Sequence, residues 1–220
     1  MEKIFILFVA LIFMFKKFLF TSFLLIISAC GSNPPSKSGL DNFQPTPVTD
    51  PFQINWQTLK DGIHSVIIAD KELNNSNING ANYALAINVC VMQLSDPSLF
   101  NTNIAIDGGI DKALNCNLDK DDKSGFGALA AKSLYIQPNT LTDIKIDRVQ
   151  NARYLAVVAG YNHLNVEKST AIFEYPIKTS QKGLIFKENV YSATPIDLQI
   201  SLSADRVSVD GVERIIPEQE

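Results

Sequence analysis

Little in this chain offers reactive chemistry. The 220 residues include two histidines, three cysteines and one tryptophan. Neither His64 nor His163 sits in a serine or cysteine motif, so both read as structural residues and no catalytic residue is expected. A Gly-rich phosphate loop is missing, because Asp107-Gly108-Gly109 lacks the strand-to-helix setting that such a loop needs. Two cysteines without neighbouring histidines do not make a four-ligand metal site. The segment Asp119 to Gly125 fails as a calcium loop, since Ser124 and Ala130 stand where glycine and glutamate are required, and it reads as a solvated turn. Cationic excess is also missing. The formal charge is −4, and setting aside residues 1–29, with three lysines and one glutamate, takes it to −6. That balance gives no footprint for nucleic acid. Beyond Cys30 the longest unbroken apolar run is Tyr154 to Ala159, far short of the roughly 18 residues of a membrane span.

Apolar residues are concentrated at the start. Ile4 to Phe15 and Phe18 to Ala29 are two apolar stretches divided by Lys16-Lys17. The second alone, behind its lysine pair, suffices as a signal peptide, and Met14 is the expected translation start. It ends in Ile27-Ser28-Ala29-Cys30, which resembles the lipobox of bacterial lipoproteins. The resemblance implies a lipidated Cys30 thiol, cleavage before it and an anchored chain. Small residues at Ser28 and Ala29 let the backbone enter a peptidase cleft, and a thiol is the nucleophile that the lipid donor requires. This covalent lipid is the only non-protein group expected; no cofactor is.

From residue 30 to 53 the composition turns to Pro, Ser, Asn and Thr, with five of the ten prolines at 34, 35, 45, 47 and 51. This stretch is expected to be a flexible tether without packed structure, spanning roughly 25 Å as a coil and about 70 Å if fully extended in polyproline form. With Cys30 carrying lipid, Cys90 and Cys116 remain. Either a disulfide or two buried free thiols would suit them.

The folded domain, 54–220, reads mostly as strands. Residues 63–70 alternate, 73–82 form a polar loop, and Tyr83 to Leu94 is a long strand that can be covered on both faces. Asp96-Pro97-Ser98 begins a turn or short helix. Between Asn101 and Lys132 a modestly helical insertion is expected, with Ile110 to Leu114 as a helical turn and Phe126, Leu129 and Ala130 at helical spacing. Residues 134–136 and 140–147 around Gln137-Pro138-Asn139 give a hairpin signal. Tyr154 to Tyr161 is a buried strand, and 171–177 an edge strand because Pro176 cannot donate to a ladder. Ile196 to Leu202 is the cleanest alternation, and a final hairpin is expected around Asp210-Gly211. Many short strands joined by Asn, Gly and Pro turns argue for an antiparallel β-sandwich.

A longer similarity begins at Ala69-Asp70-Lys71-Glu72-Leu73-Asn74. It continues through a loop ending near Gly80, the strand closing Val91-Met92-Gln93-Leu94, Ile136-Gln137-Pro138-Asn139, and Ala152 to Tyr161. In that order, behind a lipobox, these segments resemble the TssJ family, outer-membrane lipoproteins of the type VI secretion system. The chain departs from the family at Ala156, where glycine is usual, and at Val166 to Thr170, which lacks a Trp-Arg pair; residues 184–216 are more than a short member needs. Asn139 replaces the glycine of a Pro-Gly turn, and asparagine tolerates positive φ. The resemblance implies a transthyretin-like β-sandwich with a short helical insertion, anchored in outer-membrane lipid and facing the periplasm. It implies docking of the periplasmic C-terminal domain of the inner-membrane protein TssM, in support of the membrane complex, and no enzymatic activity or small-molecule substrate. Gly31 after the lipidated cysteine is compatible with outer-membrane sorting. The family's partner-binding loop maps onto Asn74, Asn75, Ser76, Asn77, Ile78, Asn79, Gly80, Ala81 and Asn82, whose polarity favours a hydrogen-bonded contact. A lipoprotein of another envelope machine, or a lipid-anchored binding module, would share the anchor and the sandwich.

Overall fold

In the computed structural model the described residues are 43–117 and 125–212. The signal peptide, Cys30, the tether up to residue 42, the segment 118–124 and residues 213–220 lie outside them. The strand expected after Asp210-Gly211 therefore falls almost wholly outside as well.

Twelve strands are present among the described residues: β1 (Leu59–Ala69), β2 (Ser76–Ile78), β3 (Ala81–Tyr83), β4 (Ile87–Leu94), β5 (Ala128–Ile136), β6 (Leu141–Arg148), β7 (Tyr154–Ala159), β8 (Thr170–Glu174), β9 (Ile177–Lys182), β10 (Glu188–Ala193), β11 (Ile196–Leu202) and β12 (Val207–Gly211). Two four-stranded sheets, ordered β12-β11-β1-β6 and β5-β4-β7-β8, are joined by two separate hairpins, β2-β3 and β9-β10. Every pairing is antiparallel except β1 with β11. The molecule is a mainly β, predominantly antiparallel sandwich.

Period-two alternation explains the first sheet. In β11, Ile196, Leu198, Ile200 and Leu202 are buried while Asp197, Gln199 and Ser201 are only partly covered. Their partners on β1 are Ile63, Ser65, Ile67 and Ala69, so one face of the strand pair enters the core and the other is wetter. The second sheet is covered on both faces. Ile87, Val89 and Val91 of β4 and Leu155, Val157 and Ala159 of β7 meet the first sheet. Cys90, Met92, Leu94, Ala156 and Val158 face a second apolar cluster. That cluster is closed by two short helices, α1 (Ser98–Ile104) and α2 (Gly109–Leu114), through Phe100, Ile104, Ile110 and Ala113. Double coverage is why β4 and β7 read as continuous apolar runs. A third helix, α3 (Val166–Ser169), is capped by the Asn165 side chain and leads into β8.

Several local expectations are corrected. Residues 128–132, expected within the helical insertion, are the first part of strand β5, which continues through the expected strand residues 134–136: from Ala128 opposite Leu94 to Ile136 opposite Ile87 they pair with β4, and that tertiary pairing overrides the helical preference of alanine. The turn at Gln137-Pro138-Asn139 is not a hairpin. Strand β5 belongs to one sheet and β6 to the other, and the turn is pinned to the end of β1 by Asn139 N–H to the Asp70 carbonyl and Ala69 N–H to the Thr140 carbonyl. Asn139 does adopt positive φ, at 55°. The final hairpin pairs β11 with β12, turning at residues 203–206 rather than at Asp210-Gly211. Strand β11 lies at the centre of its sheet, so the C-terminal third is part of the sandwich and not an appendage. Packing also starts before residue 54: Val48 exchanges both backbone hydrogen bonds with Tyr191, at 2.9 and 2.7 Å, and Pro51–Gln53 forms a 3-10 turn.

Candidate functional site

Residues 74–82, expected as a polar loop, form a hairpin. Ser76 pairs with Tyr83, Asn77 with Asn82 and Ile78 with Ala81, around a two-residue Asn79-Gly80 turn. Both turn residues have positive φ, 54° and 81°, the geometry in which asparagine followed by glycine is least strained and which matches the twist of paired strands. The Asn-Gly pair was the sequence signal for this hairpin. The polarity of its surroundings masked it, because the strands lack the alternating apolar residues that usually mark a hairpin. Two side chains reinforce the turn: Asn77 Oδ1 accepts the Gly80 N–H at 3.0 Å, and Asn77 Nδ2 donates to Asn82 Oδ1 at 3.1 Å.

The hairpin base is moored from within. Leu73 is fully buried, and its carbonyl accepts the Leu85 N–H at 3.0 Å. Asn74, at positive φ, is 5 % exposed. Its Oδ1 accepts the Asn162 N–H at 2.7 Å and its Nδ2 donates to Asn162 Oδ1 at 3.4 Å. Asn74 therefore holds the base, while Asn75, Asn77, Asn79, Gly80, Ala81 and Asn82 are exposed. Tyr83, expected in a long strand to Leu94, instead ends the hairpin and is half exposed; residues 84–86 break the run before β4. Beside the base lies a polar depression lined in part by Asn74, Asn88, Asp111, Tyr135 and Asn162. The hairpin itself, 74–82, is a rigid, uncharged rim of amide donors and acceptors, suited to hydrogen bonding with another polypeptide.

The remaining singled-out residues are placed elsewhere. Cys90, on the helix-covered face of β4, and Cys116, just after α2, form a disulfide with their Cα atoms 5.5 Å apart, which ties the helical layer to the sheet. His64 lies on the outer face of the first sheet. Its Nδ1 is 3.0 Å from Asp197 Oδ1 and its Nε2 is 3.1 Å from both Asp143 carboxylate oxygens. The hydrogen bond with Asp143, aided by that with Asp197, holds the imidazole pKa above its ordinary value against the opposing effect of burial. The neighbouring Ser65 points into the core, so it is not aligned with the imidazole as a nucleophile. His163 is exposed in the turn after β7. Among the described residues no group of three or more His, Cys, Asp or Glu side chains could hold a metal, and no helix is long and apolar enough to cross a membrane.

Two buried polar residues had not been singled out as structural. Gln93 is inserted between the sheets, where Nε2 donates to the Asp147 carbonyl at 2.8 Å and Oε1 accepts the Val149 N–H at 3.0 Å. Arg148 is fully buried; its Nε and Nη1 donate to the carbonyls of Gln57 and Thr194 at 3.2 and 2.8 Å. Its guanidinium carbon is 5.6 Å from the Trp56 ring centroid and 5.8 Å from that of Phe43. Burial lowers its pKa from the usual arginine value.

Comparison with known proteins bears on this geometry. No curated protein matches the chain. Among solved structures it is similar to the type VI secretion lipoprotein TssJ1 of Pseudomonas aeruginosa, with a TM-score of 0.52 at 14% identity over 72% of this chain and 98% of that one. Lip of Serratia marcescens, a membrane-bound component of the same kind of system, matches with a TM-score of 0.47 at 16% identity over 69% of this chain and 96% of that one. The first of these supports a shared fold. A family profile described as type VI secretion lipoprotein, VasD, EvfM, TssJ matches residues 62–205, from the start of the regular β1 ladder to the turn before β12. The chain therefore belongs to the type VI secretion lipoprotein family.

Proposed function

We propose that this protein is a non-enzymatic docking subunit of a type VI secretion membrane complex. It is held in the outer membrane by lipid on Cys30, faces the periplasm, and binds the periplasmic C-terminal domain of TssM through the hairpin that Asn75 to Asn82 presents. Family membership supports the secretion role. The observation that carries the site is the moored hairpin: a β-turn rigidified by Asn77 and fixed at its base by Asn74 presents the exposed side chains of Asn75, Asn79 and Asn82. Rigidity matters because a pre-ordered contact loses less conformational entropy on binding.

A pull-down with the TssM periplasmic domain tests this reading, using the wild type and a variant in which residues 75–80 are shortened to Gly-Ser. Leu73 and Asn74 remain, so the sandwich keeps its internal mooring. Capture by the wild type and its loss in the variant is the expected result. Equal capture by both refutes the site, and capture by neither refutes docking.

A further inference from the structure

Three of the four most exposed large apolar side chains among the described residues are consecutive; the fourth, Phe52, stands alone in the 3-10 turn at 51–53. Leu184, Ile185 and Phe186, at the tip of the β9-β10 hairpin, are 100 %, 86 % and 91 % exposed. The docking site does not use them. We propose that this tip is a membrane-contacting device: the three side chains enter the interfacial layer of an anionic bilayer, while Lys182 and Lys187 rest on its headgroups.

Three observations favour a lipid surface. The first is charge. The span 177–193 carries Lys178, Lys182 and Lys187 against Glu188 alone, in a chain of net charge −4. A cationic collar around an apolar tip on an otherwise acidic protein is complementary to anionic headgroups above acyl chains. The second is a fixed presentation. Glu188 pairs directly with Lys182, and the turn between them depends on Gly183, whose φ is 110° and where a Cβ would lie 2.1 Å from the Phe186 carbonyl oxygen. The triplet is thus forced outward at the end of a two-stranded arm. The third is the route of the chain. Among the described residues the most N-terminal paired one is Val48, and its partner is Tyr191 on β10 of this same hairpin. The stretch from Cys30 to Val48 spans at most about 60 Å when extended. Tyr191 lies only a few residues of strand from the tip, roughly 17 Å at strand rise, so a chain held at Cys30 is long enough for this arm to reach the bilayer.

The test uses the full lipidated chain in vesicles of phosphatidylethanolamine and phosphatidylglycerol. Cys30 bears lipid and Cys90 is bonded to Cys116, so Ile185→Cys provides a single site for an environment-sensitive fluorophore. Tyr135→Cys, on exposed β5, serves as the comparison. On protein that floats with the vesicles, quenching by spin-labelled lipid should be at least about threefold greater at position 185 than at 135. Lys182→Glu with Lys187→Glu should remove that difference, since each lysine at an anionic surface contributes about fivefold in partitioning. Equal quenching at the two positions overturns the proposal. So does a label at 185 that becomes protected only when the TssM domain is added, which would assign the tip to a protein interface. The readout needs no TssM, so its failure and a failure of docking are separately visible.

Discussion

Asn74 and Asn162 hold each other by two hydrogen bonds, the Asn74 side chain accepting from the Asn162 backbone at 2.7 Å and donating to its side chain at 3.4 Å. The contact ties the base of the β2-β3 hairpin to the turn after β7, 88 residues away. Replacing Asn74 with alanine leaves the Asn162 N–H without its partner and should lower stability by about 1 to 2 kcal/mol. Hydrogen exchange should then accelerate at residues 75–83 far more than in β4 or β7. Uniform acceleration across both sheets would show that the contact supports the whole sandwich and not the hairpin in particular.

The disulfide between Cys90 and Cys116 closes a segment with a sequence separation of 26. In the chain-entropy account such a crosslink stabilises by roughly 3 to 4 kcal/mol. Urea unfolding with and without reductant should show a loss of that order, and Cys116→Ser should match the reduced protein. An unchanged midpoint would mean that the helical layer is held by Phe100, Ile104 and Ile110 alone.

His64 makes stability depend on pH in a defined direction. Its folded pKa is raised by Asp143 and Asp197, so the contribution is fully present below the ordinary imidazole pKa of the unfolded chain and is lost as pH rises through the folded value. Burial works against the charged form. The effect is modest because the imidazole and Asp143 are partly exposed. Thermal melts from slightly acidic to slightly alkaline pH should show a small decline for the wild type and a flatter profile for His64→Ala; parallel profiles would contradict the assignment.

Arg148 organises the entry of the chain into the sandwich. Replacing it with alanine removes the donor to the Gln57 and Thr194 carbonyls and the packing against Trp56 and Phe43, at an expected cost of about 3 kcal/mol. Limited proteolysis should then cut between residues 43 and 53 earlier than in the wild type. Unchanged cleavage would show that the Val48–Tyr191 pairing holds that segment by itself.

Legibility in the sequence followed how local the causes are. Ile196 to Leu202 alternates because one face is buried, and its strand could be read without any partner. Tyr154 to Ala159 was readable for the opposite reason, both faces being covered. Residues 128–132 were not: Ala-Leu-Ala-Ala prefers a helix, and only pairing with β4 makes it a strand. Likewise no local pattern shows that the Pro138-Asn139 turn passes between sheets, since both flanking strands alternate as a hairpin would. At the candidate site, positive φ at the Asn-rich positions was legible from asparagine and glycine chemistry. The inward role of Asn74 was not, because Asn162, which holds it, lies far along the chain.

The most direct measurement is the dissociation constant between the TssM periplasmic C-terminal domain and this protein, wild type against the variant with residues 75–80 replaced by Gly-Ser, by titration calorimetry. The account predicts a weakening of at least about tenfold, equivalent to about 1.4 kcal/mol, with the unfolding midpoint of the sandwich nearly unchanged. Equal affinity for the two proteins would contradict it.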